Sequence, residues 1–192
     1  MLRRLYDWVM GFAGHKHALW VLAIVSFAES SVFPIPPDVL MIPMILARPS
    51  KAWLIASVCL VASVLGGLLG YATGYFAFEE IGRPIFEALG KLERIEEFNE
   101  RFNGVGFWAV LIAGLTPFPY KVITIMSGWT AMPIGTFIVT SIIARGLRFF
   151  IVAGLLWKFG APIRDFIERR LGLMFILFCL LLVGGFYVLK FV

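Results

Sequence analysis

The sequence has little charge and few of the residues that catalysis and metal binding use. Only 15% of its 192 residues are charged and 60% are hydrophobic, whereas about a quarter of a typical soluble domain is charged. This excludes an ordinary soluble fold and predicts an integral membrane protein with a single membrane domain. Two cysteines inside apolar stretches and two histidines near the N-terminus provide neither a disulfide framework nor a metal site. Because nucleophile-elbow, zinc-protease and phosphate-loop motifs are also absent, we expect no enzyme activity and no cofactor.

The positive charge of the chain is spread out rather than concentrated. Its formal net charge is +5, but the lysines and arginines lie at the ends of apolar segments and form no basic patch with interleaved aromatic residues. This distribution argues against nucleic acid and favours the anionic headgroups of membrane lipids as partners. A bias of Lys and Arg toward one side of the predicted segments indicates a cytoplasmic N-terminus. A homo-oligomer is compatible with all of these features.

Two apolar stretches interrupted by prolines organise the chain, at residues 18–47 and 105–132. The interruptions consist of Pro34, Pro36 and Pro37 in the first stretch and of Pro117 and Pro119 in the second. Each half is shorter than the ~20 residues that a membrane-crossing helix needs. Unwound backbone at membrane depth is tolerated where protein or a water-filled cavity surrounds it, so each stretch is predicted to be a re-entrant helical hairpin.

A long apolar helix is predicted after each hairpin, at residues 52–78 and 134–157, and a third at residues 171–192. The other segments are an interfacial stretch, an amphipathic surface helix and a basic loop, at residues 1–17, 79–104 and 158–170. Because one crossing helix separates the hairpins, the second hairpin would insert from the opposite side of the membrane. The predicted fold is therefore an all-α integral membrane protein. It is an inverted repeat of two re-entrant helical hairpins, each followed by a transmembrane helix, plus a C-terminal transmembrane helix.

The first long helix carries a row of small residues. Gly66, Gly70 and Gly74 recur at every fourth position and so share one face of the helix. Glycines in this spacing let the backbone of a neighbouring helix approach closely. We predict that these three residues serve helix packing.

Two opposite charges are expected at similar depth in the membrane. Glu29 lies eleven residues after Ala18, and Arg145 lies eleven residues after Ile134. Eleven helical residues span roughly 16 Å, about half of a ~30 Å hydrocarbon core. An unpaired charge at that depth is costly, so the two side chains are predicted to pair. Two interpretations of Glu29 remain open: a structural partner of Arg145, or a proton carrier, since burial disfavours the charged form of a carboxyl group.

Asp38 and Lys121 occupy matching positions, each just after the prolines of its hairpin. Helix N-termini present free N–H groups and a partial positive charge, so two of them aimed inward would form an anion cradle. Lys121, Arg145 and Arg148 are the predicted phosphate-binding residues, and Glu29 and Asp38 are the predicted proton-coupling residues. Alternatives stay open for two of them: Asp38 as a helix N-cap, and Lys121 as a side chain that extends to the membrane interface.

Three motifs stand out, and they are Phe27-Ala-Glu-Ser-Ser-Val-Phe-Pro-Ile-Pro-Pro-Asp38, Gly70-Tyr-Ala-Thr-Gly-Tyr75 and Gly114-Leu-Thr-Pro-Phe-Pro-Tyr-Lys-Val-Ile-Thr-Ile-Met-Ser-Gly128. With these motifs the chain resembles the DedA family of bacterial membrane proteins, closest to its short YqaA-type branch, over roughly residues 18 to 160. The resemblance implies the two opposed hairpins of a wider family that includes eukaryotic VTT-domain (SNARE-associated) lipid scramblases. It also implies movement of a lipid phosphate, with undecaprenyl phosphate the best-known assignment, driven by the proton motive force across the inner membrane.

The resemblance also bears on individual residues. The acidic pair of the family corresponds to Glu29 and Asp38. Where many members carry two arginines around the second proline motif, this chain has Thr116 and Lys121. Lys121 is a candidate replacement for one arginine and Arg145 for the other. We therefore expect a multi-pass, flippase-like transporter of a lipid phosphate, either undecaprenyl phosphate or a phospholipid, that is coupled to protons. The alternatives are a proton-coupled exporter of a small ion or drug, and a non-transporting scaffold for envelope assembly.

Overall fold

The computed structural model of the chain describes residues 17–31, 36–116 and 119–188, with side chains up to residue 160. Regular structure in these ranges is entirely helical, which confirms the all-α prediction. The helices are α1 (Ala18–Ser31), α2 (Asp38–Ala47), α3 (Ala52–Ala77), α4 (Arg83–Ala88), α5 (Leu92–Leu115), α6 (Tyr120–Trp129) and α7 (Ile134–Val188). A 3₁₀ turn at Pro49–Lys51 precedes α3, and a π-helical turn at Phe78–Gly82 joins α3 to α4. The predicted interfacial stretch, apart from its last residue, lies outside the described residues.

The two helix breaks fall at the proline clusters. Helix α1 ends at Ser31 and α2 begins at Asp38, while α5 ends at Leu115 and α6 begins at Tyr120. Proline lacks the N–H that a helix interior needs, and it disfavours helical backbone in the residue before it. Local chemistry therefore sets both breaks.

The predicted single surface helix at residues 79–104 is wrong. The charge-rich segment is divided between two longer helices, because α3 runs on through the π-helical turn into α4, and α5 continues into the second apolar stretch. Between them Gly90 has φ +63°, a left-handed conformation that glycine adopts readily and that ends helices. Ion pairs one helical turn apart, such as Arg83–Glu79 and Arg101–Glu97, line the charged ends of the two helices.

The predicted basic loop at residues 158–170 is also wrong, because α7 is helical throughout Ile134–Val188 and contains Pro162 in its interior. Charged residues such as Lys, Arg and Glu are good helix formers, so a polar composition alone does not end a helix. The helix predicted at residues 171–192 is, through residue 188, the last part of α7. Its side chains lie outside the described residues.

Helices α3 and α7 form the centre of the molecule. Helix α3 packs mainly against α1, α6 and α7, and α7 packs in addition against α5 and α2. One apolar core includes Leu22, Met41, Cys59 and Phe149, from α1, α2, α3 and α7. A second core includes Val110, Tyr120 and Phe137, from α5, α6 and α7. The two helix pairs that flank the breaks, α1 with α2 and α5 with α6, are therefore held against the same central pair.

Large apolar side chains lie on the exterior of this bundle, and several polar side chains lie inside it. Trp20, Ile24 and Trp108 are more than 60% exposed, whereas Ser63 and Arg145 are buried. Soluble monomers rarely expose large contiguous apolar surfaces. Two helices among the described residues are long and apolar enough to cross a membrane, at Pro49–Ala88 and Ile134–Gly160. Together these observations fit a membrane protein.

Candidate functional site

A buried ion pair joins α1 to α7. Nη2 of Arg145 is 2.6 Å from Oε2 of Glu29, and the side chains are only 1% and 10% exposed. The pairing expected from their matching depths is therefore present. Burying a charge is costly unless it is paired and hydrogen-bonded, and this pair satisfies both conditions.

Two serines complete a polar ring around the pair. Arg145 Nε donates to Ser63 Oγ over 2.7 Å, Ser63 and Ser30 share a 2.7 Å hydrogen bond, and Ser30 Oγ donates to Glu29 Oε2 over 3.1 Å. Ser63 accepts from Arg145, either hydroxyl can donate in the Ser63–Ser30 hydrogen bond, and the Ser26 carbonyl is a second acceptor for Ser30 at 3.2 Å. The ring links α1, α3 and α7, and all four of its residues are buried.

Aromatic rings hold the other faces of the Arg145 guanidinium group. Its central carbon lies 4.8 Å from the ring centre of Tyr120 and 4.7 Å from that of Phe149, within the range of a cation–π interaction. The hydroxyl group of Tyr120 donates to Ser141 Oγ over 2.6 Å. We call the two proline-interrupted stretches, α1 with α2 and α5 with α6, the broken segments. Because Tyr120 is the first residue of α6, the second broken segment contacts the ion pair that Glu29 of the first broken segment forms with Arg145.

A second ion pair bridges the two breaks. Nη2 of Arg148 is 2.5 Å from Oδ2 of Asp38, and Nη1 of Arg148 donates to the backbone carbonyl of Thr116 over 2.8 Å. Asp38 follows the first break and Thr116 begins the second. The two side chains are 18% and 21% exposed, so this pair lies nearer the surface than the Glu29–Arg145 pair.

The structure brings four of the five predicted charged residues into two neighbouring pairs. Asp38 is the first residue of α2, one position beyond the N-cap residue Pro37, and its carboxylate contacts Arg148, so the N-cap alternative is wrong. Lys121 is half-buried in the first turn of α6, where its carbonyl accepts a 2.9 Å hydrogen bond from Thr124. Its phosphate-binding role, like the proton-coupling roles of the acids, stays a prediction.

Among the predicted proline positions, Pro36 and Pro119 lie in the connections between helices and Pro37 precedes α2. Pro34 and Pro117 lie outside the described residues.

The glycine row on α3 faces two broken segments at once. A Cβ atom at Gly66 would overlap the backbone of Phe27 on α1, and one at Gly74 would overlap the backbone of Ile125 on α6. Gly70 lies between them, where a Cβ atom would overlap the hydroxyl group of Thr124. The three glycines therefore occupy positions where neighbouring helices approach closely.

Sequence reasoning missed several members of the site. Ser63, Ser30 and Tyr120 were not predicted, although Ser63 lies three positions before Gly66 and thus on the same helix face. Gly128 on α6 was also missed, and a Cβ atom there would overlap the carbonyl of Tyr71. Among the residues that the structure describes, no three His, Cys, Asp or Glu side chains come together as metal ligands would.

This combination defines a class of protein: a helical membrane protein in which ion pairs connect one long helix to two broken helical segments. The VTT domain, the domain of the DedA family, matches residues 35–158, so the protein belongs to the VTT domain family. This confirms the resemblance drawn from the motifs. Proteins of this family are membrane proteins, and DedA members are implicated in membrane transport or lipid flipping.

Similar proteins are known from bacteria. The chain is 38% identical over 168 residues to an uncharacterized protein of Haemophilus influenzae, covering 85% of this chain and 87% of that protein. It is 40% identical over 168 residues to an uncharacterized protein of Histophilus somni, with the same coverage. No solved structure matches the chain significantly.

Proposed function

We propose that the protein is a transporter that moves a lipid phosphate, undecaprenyl phosphate or a phospholipid, across the bacterial inner membrane in a proton-coupled manner. The observation that carries this proposal is the meeting of two arginine–carboxylate pairs between the two broken segments. Ionisable groups inside a membrane protein are costly and mark transport pathways and proton relays. The family's implication in membrane transport or lipid flipping points the same way.

The helix contacts support an inverted repeat of two re-entrant hairpins. If α1, α2 and α3 correspond to α5, α6 and α7, the contact of α1 with α3 has its counterpart in that of α5 with α7. Likewise, the contact of α3 with α6 corresponds to that of α7 with α2. In both halves, the third helix thus packs against the first helix of its own half and the second helix of the other half. This exchange of partners is expected of two halves related by a twofold axis in the membrane plane, and their shared interface is a common place for a substrate site.

The pairing of each arginine with an acid supports proton coupling. Arginine stays charged at any physiological pH, whereas a carboxylate can accept a proton and lose its charge. Protonation of Glu29 or Asp38 would therefore weaken one ion pair and make donors of Arg145 or Arg148 available to a phosphate. Lys121, in the first turn of α6, is a further cation for the same anion.

The test is transbilayer movement of labelled undecaprenyl phosphate in liposomes that contain the purified protein, with and without a pH gradient. We expect movement that depends on the gradient and is impaired by Glu29→Gln and Lys121→Ala. A matched control is Glu97→Gln, because Glu97 belongs to an exposed ion pair on the charged end of α5. Unimpaired movement in Glu29→Gln would remove the proton-carrier role of that residue.

A parallel arm with a labelled phospholipid separates the two lipid classes. If neither lipid moves in folded protein, the lipid-phosphate proposal fails, and proton-coupled export of a small ion or a scaffold role becomes the better account. Proton flux that requires an added soluble ion would then identify the exporter.

A further inference from the structure

Arg148, Asp38 and Thr116 form a set of contacts that we call the clasp. Both terminal nitrogens of Arg148 are engaged, one by the Asp38 carboxylate and one by the Thr116 carbonyl. The two oxygens come from different broken segments, since Asp38 begins α2 and Thr116 follows α5. One guanidinium group thus holds the two segments together.

The clasp is more accessible than the Glu29–Arg145 pair. Arg145 is enclosed by Glu29, Ser63 and two aromatic rings and is 1% exposed. Arg148 has an 18% exposed side chain. An anion that arrives from outside can therefore reach Arg148 without dismantling the buried ring.

The clasp residues are flanked in the sequence by exposed apolar side chains. Each clasp residue has a large apolar sequence neighbour, namely Val39, Leu115 and Leu147, and these are 50%, 39% and 47% exposed. In a membrane protein, such side chains would lie against lipid. A phosphate group attached to an alkyl chain could thus reach the clasp while its chain remains in the lipid.

We propose that Arg148 is the residue that binds the phosphate group and that Asp38 is a built-in competitor for it. A phosphate offers two oxygens on one phosphorus atom, and the guanidinium fork binds such a pair through two parallel hydrogen bonds. Binding would displace both Asp38 and the Thr116 carbonyl from Arg148, and so would release α2 from the end of α5. The inference rests on the proposed function for its substrate class, a lipid phosphate.

The test is equilibrium binding of dodecyl phosphate to the full-length protein in a nonionic detergent, measured by titration calorimetry. Removal of the competing charge by Asp38→Asn should tighten binding at least about fivefold. This factor corresponds to the free energy that a partly exposed ion pair typically contributes. Arg148→Gln should weaken it by about tenfold or more, because a bidentate charged contact is lost. In the double variant Asp38→Asn/Arg148→Gln, the substitution of Asp38 should no longer tighten binding.

Several controls keep the result interpretable. Arg101→Gln removes an arginine from an exposed surface pair and should bind as the unmodified protein does. Arg148→Lys keeps the charge without the fork and should bind with intermediate affinity, so a folding defect of Arg148→Gln alone cannot mimic the pattern. Inorganic phosphate should bind more weakly than dodecyl phosphate, and equal binding would overturn the choice of a lipid phosphate over the free anion.

Asp38→Asn that binds no tighter than the unmodified protein would overturn the competitor role. Full binding by Arg148→Gln would overturn the binding role. Failure of the clasp is distinguishable from failure of the proposed function: lipid movement combined with binding insensitive to both residues rejects the clasp alone. Binding that follows the prediction in a protein that moves no lipid rejects transport alone.

Discussion

Removing one partner of the Glu29–Arg145 pair should destabilise the protein far more than removing both. In Glu29→Ala, the guanidinium group of Arg145 stays between two aromatic rings with 1% exposure and loses its 2.6 Å partner. Breaking a buried pair from one side costs about 3–5 kcal/mol. For a chain of this length each kcal/mol shifts Tm by about 2–4 °C, so Tm should fall by about 10 °C. In Glu29→Ala/Arg145→Met the stranded charge is gone, and most of that loss should be recovered.

Cys59 offers a direct assay for this prediction. Its side chain is fully buried in α3, so a dye that fluoresces on reaction with thiols reports unfolding of the detergent-solubilised protein. A Cys179→Ser background leaves Cys59 as the single thiol, since the sequence has two cysteines. The reasoning would be refuted if Glu29→Ala left Tm unchanged, or if the double variant were less stable than both single variants.

Three further substitutions test other parts of the fold by the same assay. Gly74→Ala should lower the stability by about 1–3 kcal/mol, because its Cβ atom would overlap the backbone of Ile125. The matched control is Gly104→Ala, whose Cβ atom would meet open space. A lower Tm of Gly104→Ala would contradict this explanation. Gly90→Ala should lower the free energy of unfolding by about 1 kcal/mol, because φ of Gly90 is +63°. Gly90→Asn should lower it less, since asparagine tolerates this conformation better. Equal losses in the two variants would argue against the left-handed turn. Tyr120→Leu removes a ring from the guanidinium group and should cost more than Tyr120→Phe, which keeps the ring; the reverse order would show that the hydroxyl group matters more.

Features with a local cause could be predicted from the sequence. The two helix breaks follow from proline chemistry at Pro36, Pro37 and Pro119, which acts on adjacent residues. The pairing of Glu29 with Arg145 followed from counting residues into two apolar segments. That count works because the bilayer imposes one depth scale on both segments.

Features that depend on how distant segments meet could not be predicted in this way. The contact of Arg148 with Asp38 and Thr116 joins residues of α7 and α2 to the first residue after α5, and no spacing in the sequence indicates it. The continuity of α7 through residues 158–170 was missed because a basic composition was interpreted as a loop. Gly90 did carry a signal, since a glycine between two helical patterns is a common C-terminal cap, and it would have divided the surface segment correctly.

The two ion pairs differ in a way that bears on where a proton would act. Breaking the Glu29–Arg145 pair would leave the charge of Arg145 unpaired in a low-dielectric interior and disrupt hydrogen bonds that link α1, α3 and α7. The free-energy cost is that typical of a broken buried pair. Opening the clasp disrupts two hydrogen bonds of one partly exposed arginine, which is a smaller cost. A transport cycle of the proposed kind would therefore keep Glu29 and Arg145 together as a fixed centre and open at Asp38. On this reasoning a coupling proton would act at Asp38, and Glu29 would hold the helices around which the broken segments would move.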